Sequence, residues 1–599
     1  FGSKGAPAEG TFRTNRLRKT ESGRDRAVHA AAIRCGVSVH SDDRSPRSDE
    51  LTGWLEGSAS DFPDLVRLTS IGTSFEGRDL WLLTVTNQTV GDASEKPAIW
   101  IDGNIHASEV TASMAIVHLV DHLTTSFGSE SDVTRALDTR TFYLVPRVNP
   151  DGAELARAEV PSFVRGSVHP WPFTEQLAGL VGGDIDKDGR ILQMRVVDPN
   201  GTWKPDADDS RLMVARRPDE DGGGPYYRLL GEGMINDYDG VQVPTAPFQA
   251  GIDPNRQFPY KWERKVDGPW DAGEFPGSEP EVAALLRAVT DRKNICAYFA
   301  YHTFSGVHIR AYSDQTDESF AADDLWTYDV LGEMATELTG YPSISGYHDF
   351  RYHPKSVIKG VGTDWAFDHL GVYSWTTEFW NALSAAGLGD AHPLEWYRNH
   401  SLDDELQLLA WVDENVRGGY VDWYEFDHPQ LGRVELGGWH SELVFRNPPP
   451  HLLEAEIEPH SKLAVRIALS SPILRHRDTL VEQLDGGTWR VRVVVENAGW
   501  MKTSVTQRAV DSGYVRPMVA QISLPPDASL VTGSTRLDLG QLGGRALAQN
   551  AVRSFAAGSD GTYDRTVAEW IVRAPSGARC DVVVSHDRAG TIRTTIALE

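Results

Sequence analysis

The chain has 599 residues, enough for about three or four units of ordinary domain size with ample cores. Lys and Arg number 58 against 85 Asp and Glu, a net charge of −27 that disfavours nucleic acid or an anionic membrane surface as a partner. No run approaches the roughly 18 apolar residues of a membrane span, and 40% hydrophobic with 24% charged residues is the composition of an ordinary globular protein.

Cys35, Cys296 and Cys580 lie far apart without CxxC spacing, which excludes a disulfide framework and a cysteine-built zinc site. Any metal must be held by His and carboxylates. Phe1 to Arg47 carries ten Lys/Arg against five Asp/Glu and lacks the short apolar core of a secretory signal. Residues 1–47 are therefore expected to be a disordered or non-native extension, and the compartment (secreted, periplasmic or cytoplasmic) stays open.

From Asp49 strands and helices alternate. Leu51, Trp54 and Leu55 start a helical spacing, Asp79 to Val85 reads as a strand, and Pro97 to Ile105 (PAIWIDGNI) is a β-rich run with an abrupt polar end. A helix is expected from Val110 to Leu123 and a strand from Thr141 to Val148. Further on, a helix at Glu279–Val289 precedes strands at Cys296–Tyr301 and Gly371–Phe379. This pattern predicts an α/β domain with a mixed, mostly parallel sheet flanked by helices. Between Arg165 and Asp253 the periodicity fades into a stretch rich in Asp, Gly and Pro, an insertion at about 166–252. After about Arg433, Leu463–Leu469, Thr488–Glu496, Val567–Arg573 and Thr591–Leu598 alternate apolar with polar residues, predicting a C-terminal all-β sandwich. Two folded units are thus expected, 48–432 with its insertion and 433–599.

The most informative residues are His106-Ala107-Ser108-Glu109, where strand 97–105 gives way to a helix. An imidazole and a carboxylate three apart share one face and reach one ion. His-x-x-Glu is common by chance, but His302, at the end of the apolar strand CAYFAYH, is placed to be a third ligand. Two His and one Glu make the protein share of an open catalytic zinc site.

At these residues the sequence resembles the zinc carboxypeptidases, the carboxypeptidase A-like metallopeptidases, from about Asp49 to about Tyr424. HASE at 106–109, NPDG at 149–152, DPNR at 253–256, YHTFSG at 301–306, GTDW at 362–365 and TTEFW at 376–380 occur in the family's order. The resemblance implies that His106, Glu109 and His302 bind zinc and that Glu378 is the general base. Arg165 matches the arginine that helps polarise the scissile carbonyl, and Asn255 and Arg256 match the pair that holds the substrate's terminal carboxylate. Asp253 matches the carboxylate that orients the first zinc histidine. The residue types suit these roles: a guanidinium stabilises an oxyanion and presents a planar fork to a carboxylate.

Two departures limit the match. The family's carboxylate-capping tyrosine falls, by residue count, on Ser356, with Tyr352 nearby as the replacement. The long insertion is expected to wall the cleft. Thr363 stands at the base of the family's specificity pocket and, with Ser313 nearby, offers no charge, so neutral C-terminal side chains are expected. Peptide or protein C-termini are the implied partners.

Asp184-Ile185-Asp186-Lys187-Asp188-Gly189-Arg190-Ile191 matches the opening of a calcium loop, but its twelfth position is Arg195, which excludes a complete EF-hand. Asp184, Asp186 and Asp188 remain calcium candidates beside a simple Asx-rich turn. His118 and His122 are read as a solvated helix face, and Trp489, Trp500 and Trp570 as buried strand aromatics. The expected activity is removal of C-terminal residues by a zinc-dependent metallocarboxypeptidase. The alternatives are a related zinc amidase acting on cell-wall peptides or N-acyl amino acids, and a non-catalytic peptide-binding protein on the same fold.

Overall fold

The computed structural model describes residues 45–162, 164–220, 222–264, 270–389, 393–546 and 561–599. The expectation for 1–47 therefore lies, apart from its last three residues, outside the described residues.

An eight-stranded mixed sheet forms the frame. In chain order its strands are β1 (Val66–Thr73), β2 (Asp79–Val85), β3 (Ala98–Gly103), β4 (Thr141–Val145), β5 (Ile295–Thr303), β6 (Val307–Arg310), β7 (Ser343–Ser345) and β8 (Tyr373–Phe379). They lie in the order β1-β2-β4-β3-β5-β8-β6-β7. The pairs β4–β3, β3–β5 and β5–β8 are parallel, while β1–β2, β2–β4 and β6–β8 are antiparallel. Every residue of β3 (AIWIDG) and β5 (ICAYFAYHT) is buried, which is why these two read as near-continuous apolar runs. The helices Thr111–Ser126, Pro280–Thr290 and Gly362–Leu370 place Ile116, Leu119, Leu123, Val282, Leu285, Trp365 and Phe367 in the same core. The carboxyl ends of the parallel strands lie where this architecture places ligands.

The insertion is more regular than its composition suggests. Its strands 179–182 and 233–236 pair with each other, and 193–197, 203–205, 213–215 and 227–231 join a six-stranded sheet completed by 420–428 and 432–439. Arg195 stands opposite Glu435 in that sheet, so strand Gly432–Trp439, beyond the expected boundary at 433, hydrogen-bonds to the insertion. Long-range pairing of this kind has no local sequence signature.

Leu463–Leu469 requires correction: it is the end of a helix, Pro450–Ser470. Its alternation at 463, 465 and 467 imitates a strand, but buried Ile457, His460, Leu463, Ala464, Ile467 and Ala468 follow helical spacing, and Pro450 suits a first helical position. The helix packs against Thr111–Ser126, where His118 Nδ1 lies 2.8 Å from Ser461 Oγ. His118 is thus at a helix interface and not on a solvated face, and burial lowers its pKa to about 4.

From Leu474 two four-stranded sheets face each other, 474–485, 488–497, 529–532 and 565–573 against 519–523, 536–538, 579–586 and 590–597. Val491, Val493, Val495, Val572, Val582 and Val584 fill the space between them, with Trp489 and Trp570 each 2% exposed. Polar pins dock this sandwich on the α/β unit. Arg588, 1% exposed, donates to Gly371 O and Ser504 O at 2.9 Å each and also to Leu370 O. Buried Asp324 accepts from the backbone N–H of Gln507 at 2.8 Å and of Arg508 at 3.1 Å. Among the described residues no helix is long and apolar enough to cross a membrane.

Candidate metal centre and substrate cleft

The centre forms where β3, β5 and β8 end. Parallel pairing sets His302 opposite Glu378. After β3, Asn104 takes a left-handed conformation (φ 57°) tolerated by Asn, and its Nδ2 donates to His106 O at 2.7 Å and Ala107 O at 3.1 Å. That turn brings HASE back over the strand end.

His106, Glu109 and His302 are 3%, 2% and 1% exposed. His106 Nδ1 is 2.9 Å from Glu109 Oε1, His302 Nδ1 is 2.9 Å from Glu109 Oε2, and the two Nδ1 atoms are 3.1 Å apart. Ligand atoms of all three residues lie within 4.8 Å of one another. Two imidazole nitrogens and a carboxylate brought this close need a cation or proton between them, and the donor set suits zinc. Burial alone would raise the Glu109 carboxyl, but the two imidazoles outweigh it and hold it well below the usual range.

The turn 253–256 holds the far side of both rings. Asp253 Oδ1 is 3.1 Å from His106 Nε2, and Asn255 Nδ2 is 3.4 Å from His302 Nε2. Asp253 also accepts from Asn255 N at 2.9 Å and from Arg165 Nε at 3.1 Å. Its burial is outweighed by Arg165, Arg256 and His106, so the carboxyl stays well below the usual range. Asn255 Oδ1 accepts from Gly362 N at 3.1 Å, and Arg256 NH1 donates to Asn255 O at 2.8 Å. At Gly360 (φ 67°) a Cβ would meet Arg256 O at 2.4 Å, so only glycine lets that loop lie on the turn. Arg165 NH1 reaches within 3.7 Å of Glu109 Oε1.

Glu378 is 8% exposed, and its buried Oε2 has no hydrogen-bond partner. Burial pushes its carboxyl up to about 8, against the pull of His302 and reinforced by Glu109. Thr363 is buried with its Oγ1 3.3 Å from Thr376 Oγ1. Ser313 donates from its N–H to Asp364 at 2.9 Å, and burial raises the Asp364 carboxyl to about 7. Tyr352 sits 49% exposed on the rim, edge-on to Phe350, within electrostatic reach of Arg165, Arg256 and Glu378. Ser356 Oγ turns back to His353 O at 3.3 Å.

One residue near the centre has no motif to announce it. Arg446, in the short π-turn Glu442–Arg446, places NH1 3.8 Å from Glu109 Oε1.

In the insertion, Asp184, Asp186 and Asp188 also lie close enough to share an ion. Asp184 accepts from Gly189 N at 2.8 Å and Asp188 N at 3.1 Å, Asp188 pairs with Arg190, and Tyr424 donates to Asp186. Arg195 turns away to Glu435 at 2.9 Å.

Residues 51–386 match the family model described as zinc carboxypeptidase, and residues 474–597 match one described only as a domain of unknown function. Over 344 residues the chain is 29% identical to carboxypeptidase B of Astacus astacus, covering 55% of this chain and 84% of that protein. It is 21% identical to carboxypeptidase A1 of Sus scrofa over 345 residues, 55% of this chain and 61% of that one. Among solved structures, carboxypeptidase A from Helicoverpa armigera aligns with a TM-score of 0.41 at 16% identity, covering 75% of this chain and 82% of that one.

Proposed function

The chain belongs to the zinc carboxypeptidase family, and on that premise we propose that it removes the C-terminal residue of peptides with His106, Glu109 and His302 holding zinc. The observation that carries this is the convergence of the three donors beside the unpartnered Oε2 of Glu378. Bound zinc supplies Lewis acidity, polarising a carbonyl and lowering the pKa of water toward about 7.

The chain's own residues do the rest. Glu378, made more basic by burial, takes a proton from the attacking water and passes it to the leaving amine. Arg165, oriented by Asp253, supplies positive charge where the carbonyl oxygen becomes an oxyanion. Asn255 and Arg256 receive the terminal carboxylate, with Tyr352 closing over it from the rim. Thr363 sets an uncharged floor, which favours neutral C-terminal side chains. Asp253 accepts from His106 and so fixes that ring's orientation. Calcium at Asp184, Asp186 and Asp188 is a separate, structural part of the proposal, read out as a rise in melting temperature that Asp186→Asn abolishes.

The test is hydrolysis of one peptide with a free and with an amidated C-terminus, each with and without a chelator. Cleavage of the free form alone, lost with chelator and restored by zinc, is expected. Equal turnover of the amidated peptide would leave Arg256 without a role and favour an amidase. No turnover of either, with retained binding, would favour a non-catalytic peptide-binding protein.

A further inference from the structure

Arg446 lies 60 residues beyond the part of the chain that matches the family model, which ends at 386, yet its guanidinium is among the groups nearest the metal centre. Its placement is not accidental looseness. Two residues before it, buried Val444 accepts at its carbonyl a hydrogen bond from Trp380 Nε1 at 2.7 Å, and Trp380 lies two residues after Glu378. Directly after it, Asn447 donates to Ser108 O at 2.9 Å and accepts from Thr111 N at 3.1 Å, and Ser108 lies inside HASE. The turn is thus fastened to both sides of the centre.

The guanidinium itself is unspent. Its distance to Glu109 Oε1, 3.8 Å, is longer than a hydrogen bond, and its carbon sits 5.1 Å from the centroid of the Phe304 ring. Arg446 donates no side-chain hydrogen bond among the described residues, and its side chain is 24% exposed beside a Glu109 that is 2% exposed. Arg165 approaches the same Glu109 oxygen at 3.7 Å but is tied to Asp253 at 3.1 Å. Arg446 has no such tie. A guanidinium carried on a fastened turn, with its donors free beside Glu109, fits an oxygen acceptor that arrives with the ligand.

Which oxygen follows from where the turn lies. Asn255 and Arg256 serve the terminal carboxylate, with Thr363 beneath the C-terminal side chain. Arg446 instead stands beside Glu109 and Phe304, on a turn fastened to Ser108. With the terminal carboxylate and the C-terminal side chain so assigned, the peptide upstream of the scissile bond is the part of the substrate left for Arg446.

We infer that Arg446 is a substrate-binding residue: its guanidinium takes a backbone carbonyl oxygen on the N-terminal side of the scissile bond, so that a segment outside the family domain completes the active site. This rests on the carboxypeptidase reading above. The test compares native protein with Arg446→Gln on an N-blocked dipeptide and on an N-acetyl amino acid, which has no carbonyl upstream of the scissile one. With zinc content unchanged, kcat/KM should fall about 10- to 100-fold on the blocked dipeptide and less than about 3-fold on the acetylated amino acid, as for loss of one charge-assisted hydrogen bond. Arg446→Lys, which keeps the charge and an apolar stem over Phe304, should recover part of the loss. Equal loss on both substrates, no loss on either, or loss of zinc would each overturn the assignment. Should native protein hydrolyse neither substrate, the carboxypeptidase reading itself falls. The Arg446 assignment is then decided by binding: Arg446→Gln weakens Kd for the blocked dipeptide about tenfold or more, or the assignment fails.

Discussion

His308 makes the catalytic unit sensitive to acid in a way that can be calculated. It is 0% exposed on β6, with Nδ1 3.0 Å from Thr377 Oγ1 and Nε2 3.1 Å from Thr339 Oγ1. Thr339 donates its own hydroxyl to Ala335 O at 2.8 Å, so its oxygen accepts from Nε2–H, and Thr377 donates to Nδ1. The neutral ring is satisfied by this chain of bonds. Its ring neighbours are Tyr341 and His460, and among the described residues no carboxylate pairs with it to support a positive charge. Burial accordingly lowers its pKa from an ordinary 6.5 to about 3. The sign follows from linkage: the unfolded chain binds a proton that the folded one refuses, so stability falls as pH drops below about 6.5 and goes on falling to about 3. At pH 5 the unfolded ring is about 97% protonated and the folded ring about 1%, which costs about 2 kcal/mol relative to pH 7. Urea unfolding at pH 7 and pH 5, for native protein and His308→Gln, measures it. Histidines away from this site cancel between the two proteins, and His460, whose ring packs on His308, stays buried and disfavoured as a cation in both. The acid-induced loss should be smaller by about 2 kcal/mol in the variant. An identical loss in both would refute a buried neutral His308.

Three further outcomes are expected. Glu378→Gln should lower kcat by about 10²–10⁴ with zinc content unchanged if, as proposed, it is the general base and not a ligand; its Oε2 is unpartnered. Asp253→Asn should weaken zinc affinity about 10- to 100-fold in a competition titration, because it takes the negative charge from behind His106 and loosens Arg165 as well. Arg588→Met should destabilise the protein by about 3 kcal/mol in denaturant unfolding, since the carbonyls of Leu370, Gly371 and Ser504 lose their buried donor.

The proposed zinc ligands were legible because they sit at abrupt polar ends of apolar runs. The strands within PAIWIDG and CAYFAYH are buried along their whole length, so a His or Glu at or just past their ends is at the carboxyl edge of the sheet. Asp253 and Asn255 were legible only through resemblance, for nothing in DPNR alone says that it backs two imidazoles. Arg446 was illegible: what places it is the Trp380 to Val444 bond and the Asn447 to Ser108 bond, contacts that span 64 and 339 residues and leave no periodic trace. The same holds for the sheet that joins 193–197 to 432–439. Helix 450–470 was misread because alternate apolar residues at 463, 465 and 467 satisfy both periods over so short a window.

The buried Arg588 changes what the C-terminal unit is for. Its guanidinium grips the carbonyls of Leu370 and Gly371, just before the strand Tyr373–Phe379 that carries Glu378 near its other end. Seven residues of extended chain, about 23 Å at roughly 3.3 Å per residue, link the two. The sandwich is then a footing and not a tether: a protein cut off after the family domain would lose the support beneath the strand that carries Glu378. Anything that binds the outer sheets would meet a body in fixed register with the catalytic cleft.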